Sequence, residues 1–121
     1  MCILCVVVDQ VTFPSIINIF QVEALEKMCT ELDLAIEVYV EGRGSMPPRL
    51  RPRRPTVYVC VTEKAVSLLQ SLLHYQREKE LGLIVVDEIH LLDCSERGCV
   101  LESLLALAVP LTVQGEYFSF K

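Results

Sequence analysis

The sequence predicts an α/β domain: a partial, doubly wound, mostly parallel sheet with helices on both faces. Three observations carry that expectation. Short aliphatic or β-branched runs recur at residues 3–8, 35–40, 56–61 and 83–86. The first, third and fourth are apolar nearly throughout, the pattern of strands covered on both sides. Segments with apolar residues three and four apart lie between them, as expected of crossover helices. At 121 residues and 52% hydrophobic composition, the chain has material for one core and no more than one domain, 1–121.

Taken in order, residues 3–8 read as a buried strand. Phe13-Pro14-Ser15 offers a helix entry, and Ile16, Ile17, Phe20, Leu25, Met28 and Leu32 suggest one or two helices, with Val22 and Ala24 blurring the period. Residues 35–40 form the second strand. The 41–55 stretch is a basic loop, since two glycines, four prolines and five arginines exclude a regular element. Residues 56–61 are a third strand, rich in β-branched and aromatic types. Thr62 follows as a candidate helix N-cap, and Ala65, Leu68, Leu69, Leu72 and Leu73 mark one helical face to about Tyr75. Residues 83–86 are the fourth strand. Gly98 with Leu101, Leu104, Leu105 and Leu107 marks a last helix that Pro110 should stop, leaving 111–121 as a strand or a frayed end.

Bulk properties narrow the function. A mean hydropathy of +0.43 is high for a domain of this size and points to very buried strands or to surface that further polypeptide covers. No apolar run approaches the roughly 20 residues that span a bilayer, and the first apolar run lacks the basic flank of a signal peptide. Cys2, Cys5 and Cys60 sit in apolar runs, where a reduced thiol behaves as a small hydrophobe, so the chain reads as intracellular. The net charge of −5 excludes a uniformly basic nucleic-acid binder. Arg43, Arg49, Arg51, Arg53, Arg54 and Lys64 nevertheless fall in one short window, against only Glu41 and Glu63. That window is compatible with a phosphate-tracking surface and equally with a solvated loop.

The most informative junction is Leu83-Ile84-Val85-Val86 running into Asp87-Glu88-Ile89-His90. In open α/β sheets, ligands bind outside the carboxyl ends of the strands. A carboxylate placed there suits Mg²⁺, which takes one or two carboxylates and keeps several waters. A second is placed to orient and deprotonate an attacking water.

The run from Leu81 through His90 to Leu92, with Arg97-Gly98 and Leu101-Glu102 after it, resembles the Walker B region of superfamily 2 helicases. In detail it is similar to the POLQ-like helicases and the helicase part of DNA polymerase theta. Tyr58-Val59-Cys60-Val61-Thr62-Glu63-Lys64-Ala65, then Ser67-Leu68 and Ser71-Leu72, resembles the strand–Thr-x-Glu-Lys–helix element that the family sets against single-stranded DNA. Glu41-Gly42-Arg43-Gly44 and Pro47-Pro48 resemble the loop before it. The match runs in order from about Val38 to Leu107.

The resemblance implies a partial first RecA-like domain of an ATP-dependent DNA helicase that moves 3′-to-5′ and is nuclear. It implies that Asp87 supports Mg²⁺ through water, that Glu88 is the catalytic base, and that His90 senses the state of the γ-phosphate. Thr62, Lys64, Gly42, Arg43 and Gly44 would then contact single-stranded DNA. Thr62 would also cap its helix, while Arg97 serves as a backbone contact or an internal salt bridge.

The departures matter as much. No Gly-x-x-x-x-Gly-Lys-Ser/Thr and no Ser-Ala-Thr after the DE-x-H box occur in the sequence. The expectation is therefore an incomplete ATP-binding domain. ATP and Mg²⁺ would act in the intact enzyme, with the remainder of the helicase as partner, and this chain alone would hold neither stably and hydrolyse ATP poorly or not at all. Family architecture further implies that the 83–86 strand has lost its neighbours and lies at an exposed edge. The alternative reading is a non-catalytic nucleic-acid-binding or protein-interaction module derived from a helicase. Zinc at Cys2, Cys5, His90, Cys94 and Cys99 would need contrived geometry. Arg49-x-x-Pro52-x-x-Pro55 is chance-level as an SH3 ligand, and Ser95 and Ser103 lack the context of a hydrolase triad.

Overall fold

The computed structural model describes residues 2–6, 19–40, 42–50, 53–86, 97–112 and 117–120. In chain order the elements are β1 (Cys2–Val6), α1 (Ile19–Glu31), β2 (Ala35–Tyr39), β3 (Thr56–Cys60), α2 (Thr62–His74), a single 3₁₀ turn (Glu78–Glu80), β4 (Leu81–Val86), α3 (Arg97–Thr112) and β5 (Tyr117–Phe120). The five strands form one sheet in the order β2-β3-β1-β4-β5. Every pairing is parallel. This is the expected α/β class, a partial RecA-like, doubly wound sheet.

The alternation of side chains along each strand divides the interior into two cores. Tyr39, Tyr58, Cys60, Leu81, Ile84 and Val86 pack with Ala65, Leu68, Leu69 and Leu72 of α2 and with Leu101, Leu104 and Ala108 of α3. On the opposite face Val38, Val57 and Val59 pack with Cys29 of α1, and Val22 and Leu25 flank them. Burial there pushes the Cys29 thiol above its ordinary pKa. β3 lies between β2 and β1 and is buried at all five positions, which is why its sequence is apolar on both faces. In β4 the register slips between Cys2↔Leu81 and Ile3↔Leu83, leaving Gly82 as the extra residue. That bulge puts Leu81 on the same face as Ile84 and Val86 although their numbers differ in parity.

Both described interhelix exits close by the same motif. After α1, Asp33 has φ +55, with Asp33 N–H donating to Thr30 O and Leu34 N–H to Cys29 O. After α2, Gln76 has φ +55, with Gln76 N–H donating to Leu73 O and Arg77 N–H to Leu72 O. Each is a Schellman closure with a residue other than glycine in the left-handed position. Gln76→Gly is therefore expected to raise the unfolding free energy by about 0.5–1 kcal/mol. A urea titration followed by circular dichroism checks the sign; a loss of stability would contradict the left-handed geometry.

Two expectations are corrected. The 83–86 strand is not an edge: β1 pairs with it on one side and β5 on the other, because Cys2–Val6 inserts between β3 and β4. The final helix is not stopped by Pro110 but runs to Thr112. Pro110 sits in its last turn, where the missing N–H removes one hydrogen bond near an end that frays in any case. Of the two readings of 111–121, a strand or a frayed end, the strand is the one that forms, at residues 117–120. Among the described residues no helix is long and apolar enough to cross a membrane.

Candidate nucleic-acid interface at the carboxyl edge of the sheet

In a parallel sheet all strands end at one edge, and the carboxyl ends of β2, β3, β1 and β4 share it here. Tyr39 is level with Cys60, Cys60 with Val6, and Val6 with Val86. With strands about 4.8 Å apart, the ends of β3 and β4 stand roughly 10 Å from one another with β1 between them. Asp87, Glu88 and His90 follow Val86 directly in sequence but lie outside the described residues. Val86 itself is fully buried, so the chain enters the DE-x-H segment from a fixed point.

β3 hands over to α2 without a side-chain cap. Val61 is the N-cap, extended at φ −71 and ψ 157, and its carbonyl accepts from Ala65 N–H. The Val61 N–H donates to Tyr39 O, tying the junction to the end of β2. Thr62 is thus the first helical residue and not the cap, which corrects the sequence expectation. The reason is positional: the strand ends at Cys60, and one extended residue suffices to start the helix. Thr62 is 7% exposed, so its hydroxyl presents little surface, and the first-turn backbone N–H groups are what this site offers an anion. Lys64 is half-buried and Glu63 is exposed.

After β2 the chain turns back through an antiparallel bridge between Val40 and Arg43, with N–H···O distances of 3.2 and 3.0 Å. Gly42 and Gly44 have φ +72 and +99, which favour glycine. Gly44 lies against the ring of Tyr39 so closely that a Cβ there would stand 2.5 Å from Tyr39 Cδ1. Tyr39 is in turn held edge-on to Tyr58, with ring centroids 5.8 Å apart, and its hydroxyl donates to Glu37 Oε2 at 2.7 Å. The tip therefore rests on a rigid base and leaves Arg43 exposed at the carboxyl edge.

Arg54, from the same window, does not join it. Neighbouring parallel strands β2 and β3 need a connection from the carboxyl edge back to the amino edge, roughly 16 Å for five residues. Arg54 lies at the far end of that return, where Nε donates to Asp33 O, Nη2 to Leu34 O, and the guanidinium pairs with Asp33 at 3.2 Å. Its task is to close the C-terminus of α1 and the entry to β2. Pro55 O likewise accepts from Ala35 N–H. Arg53 neighbours it, and Arg51 lies outside the described residues. Arg43 and Arg54 therefore stand at opposite edges and do not share a single basic patch, which was one possibility for the 43–54 run.

Two residues that the sequence reading passed over, Arg77 and Glu80, make the strongest ion pair described. Arg77 Nε and Nη2 each donate to a Glu80 carboxylate oxygen at 2.8 Å, while Nη1 donates to Pro48 O at 2.6 Å. Their three-residue spacing was the available signal. Ser103 donates to Cys99 O within α3, a structural use of the hydroxyl. Among the described residues no group of three or more His, Cys, Asp or Glu side chains is placed to hold a metal.

No protein-family model matches the chain. It is 39% identical over 85 residues to Helicase POLQ-like of Drosophila melanogaster, covering 70% of this chain and 8% of that protein. With Helicase POLQ-like of Homo sapiens it shares 36% identity over 86 residues, 71% of this chain and 8% of the relative. DNA polymerase theta of Mus musculus is 35% identical over 81 residues, 67% of this chain and 3% of that protein. The chain thus spans less than a tenth of the relatives it matches.

Proposed function

We propose that this chain, a relative of the POLQ-like helicase group, is the part of a helicase motor domain that meets single-stranded DNA and carries the acidic end of the ATP site. The observation that supports this best is the shared carboxyl edge. There the Gly42-Arg43-Gly44 tip lies beside the first turn of α2 with Lys64, and the end of β4, which leads in sequence into Asp87-Glu88, lies on the same edge beyond β1. Exposed cationic charge and backbone N–H groups at a helix start suit a phosphate backbone. Adjacent carboxylates behind a strand held between two partners suit Mg²⁺, which when bound neutralises charge on phosphate oxygens. In this reading Asp87 holds the waters of that ion, Glu88 takes a proton from the attacking water, and His90 connects the two sites. Turnover belongs to the intact enzyme, because no phosphate-loop motif occurs in these 121 residues. In this reading the intact motor works on nuclear DNA.

The division of the arginines makes the reading testable. Arg43→Ala and Lys64→Ala are each expected to lower the affinity of the chain for an oligothymidine several-fold. Each should also reduce the slope of log K against log salt by about 0.7. Arg54→Ala should leave both quantities unchanged, since that guanidinium is occupied at the opposite edge. Fluorescence anisotropy across a salt series reads all three. Equal losses from Arg43→Ala and Arg54→Ala would instead favour one continuous basic loop, the binding-module alternative.

A further inference from the structure

The connection from β2 to β3 has no helix among its described residues, yet it must cross the face of the sheet that α2 and α3 cover. Its first part lies on that face, because Gly44 packs on Tyr39, a member of the α2/α3 core. Its middle is gripped from outside the loop. Pro48 is buried, and its carbonyl accepts from Arg77, 29 residues further along the chain. Arg77 in turn is fixed from three directions. Its N–H closes the Schellman motif on Leu72 O, which sets the backbone at the end of α2. Its fork is held two-fold by Glu80, which fixes the plane of the guanidinium. Its side chain is only 13% exposed, which keeps water from competing for these bonds.

We propose that Arg77 is a positioning residue for the DNA-contacting tip: through Pro48 it holds the 42–50 segment in the shape that presents Arg43 at the carboxyl edge. This rests on the reading of that edge as a nucleic-acid interface. The physical basis is the entropy of ordering. The tip is fastened at one end by the Val40–Arg43 bridge and by Gly44 on Tyr39. Pro48 supplies the second anchor, at which the carbonyl accepts from Arg77 between the Gly44 contact and the β3 entry. A loop that must be ordered on binding loses affinity for the same contacts. The geometry also requires arginine specifically. A lysine has one point charge and cannot keep the two-fold pairing with Glu80 while donating to Pro48 O.

Two measurements on the 121-residue chain test this. The first is the rate of trypsin cleavage at Arg49–Leu50, the peptide bond next to the anchor, under native conditions. Arg77→Ala and Arg77→Lys should each raise it at least ten-fold. The second is a double-mutant cycle read by oligothymidine binding. Arg77→Ala should weaken binding several-fold in the parent chain but add little once Arg43 is already alanine, because both substitutions remove the same contact. A purely structural role for Arg77 would give additive losses and overturn the proposal, as would unchanged cleavage at Arg49–Leu50. Should Arg77→Ala compromise folding, Arg77→Lys carries the cleavage comparison, and Glu80→Gln, which loosens the same fork, carries the cycle. Failure of the parent chain to bind oligothymidine at all would overturn the reading of the edge, and this inference with it. Altered cleavage with normal parent binding but additive losses overturns the inference alone.

Discussion

Tyr58→Ala is expected to remove about 3–5 kcal/mol of folding free energy, the usual cost of deleting a large buried aromatic ring. Domains of this kind have only about 5–15 kcal/mol in total, so the variant should be substantially unfolded or close to it. The reason lies in where β3 sits. It is flanked by β2 and β1, and Tyr58 is fully buried beneath α2 while its ring meets that of Tyr39 in a T-shaped contact. Removing it leaves a cavity in the layer that also supports the loop tip, so the loss should extend to DNA affinity. Urea unfolding followed by circular dichroism gives the first quantity. A loss below about 1 kcal/mol would mean that the Tyr39–Tyr58 layer is not packed in solution as described.

Gly44→Ala is expected to cost about 2–4 kcal/mol, in two parts. A φ of +99 strains any residue with a Cβ, and the added methyl would stand 2.5 Å from Tyr39 Cδ1 and 3.0 Å from Cε1 and Cγ. Tyr39 cannot move aside easily, because it is 1% exposed, meets Tyr58, and is tethered by its hydroxyl to Glu37. The loop must lift instead, and Arg43 with it. Gly42→Ala separates the two parts: its φ is +72, but nothing lies within 4 Å of the new methyl, so about 1 kcal/mol of backbone strain is all it should lose. Equal costs at the two positions in thermal or urea unfolding would mean that the close approach of Gly44 to Tyr39 is absent.

Much of this architecture was legible in the residues. The apolar runs became β1 to β4 with boundaries shifted by one or two positions, and Ala65, Leu68, Leu69 and Leu72 are the buried face of α2. The loop at 41–55 was legible because glycine and proline exclude regular structure there, and Gly42 and Gly44 do carry left-handed backbone. The kinship was legible too, since the DE-x-H junction and the Thr62-Glu63-Lys64 element are local patterns. Thr62 was misread as a cap because a threonine before a helix looks alike whether it is the cap or the first residue of the helix. Only the backbone of Val61 distinguishes the two cases.

What the sequence by itself determined are properties held within a few consecutive residues: which segments extend, which coil, which need glycine, and which carry carboxylates or cations. Strand order was decided by the tertiary structure alone, since an apolar run that is buried on both faces does not specify its neighbours. Thus β1 and β5, and not an exposed edge, came to flank β4. The fate of the arginines was decided in the same way. Residues 43 to 54 are close in sequence, but the chain between them crosses the sheet, so Arg43 reaches one edge while Arg54 closes a helix at the other. Pro48 and Arg77, 29 residues apart, meet because α2 returns the chain to the place where the loop passes. Proximity across such separations is fixed by packing, and packing is a property of the whole chain.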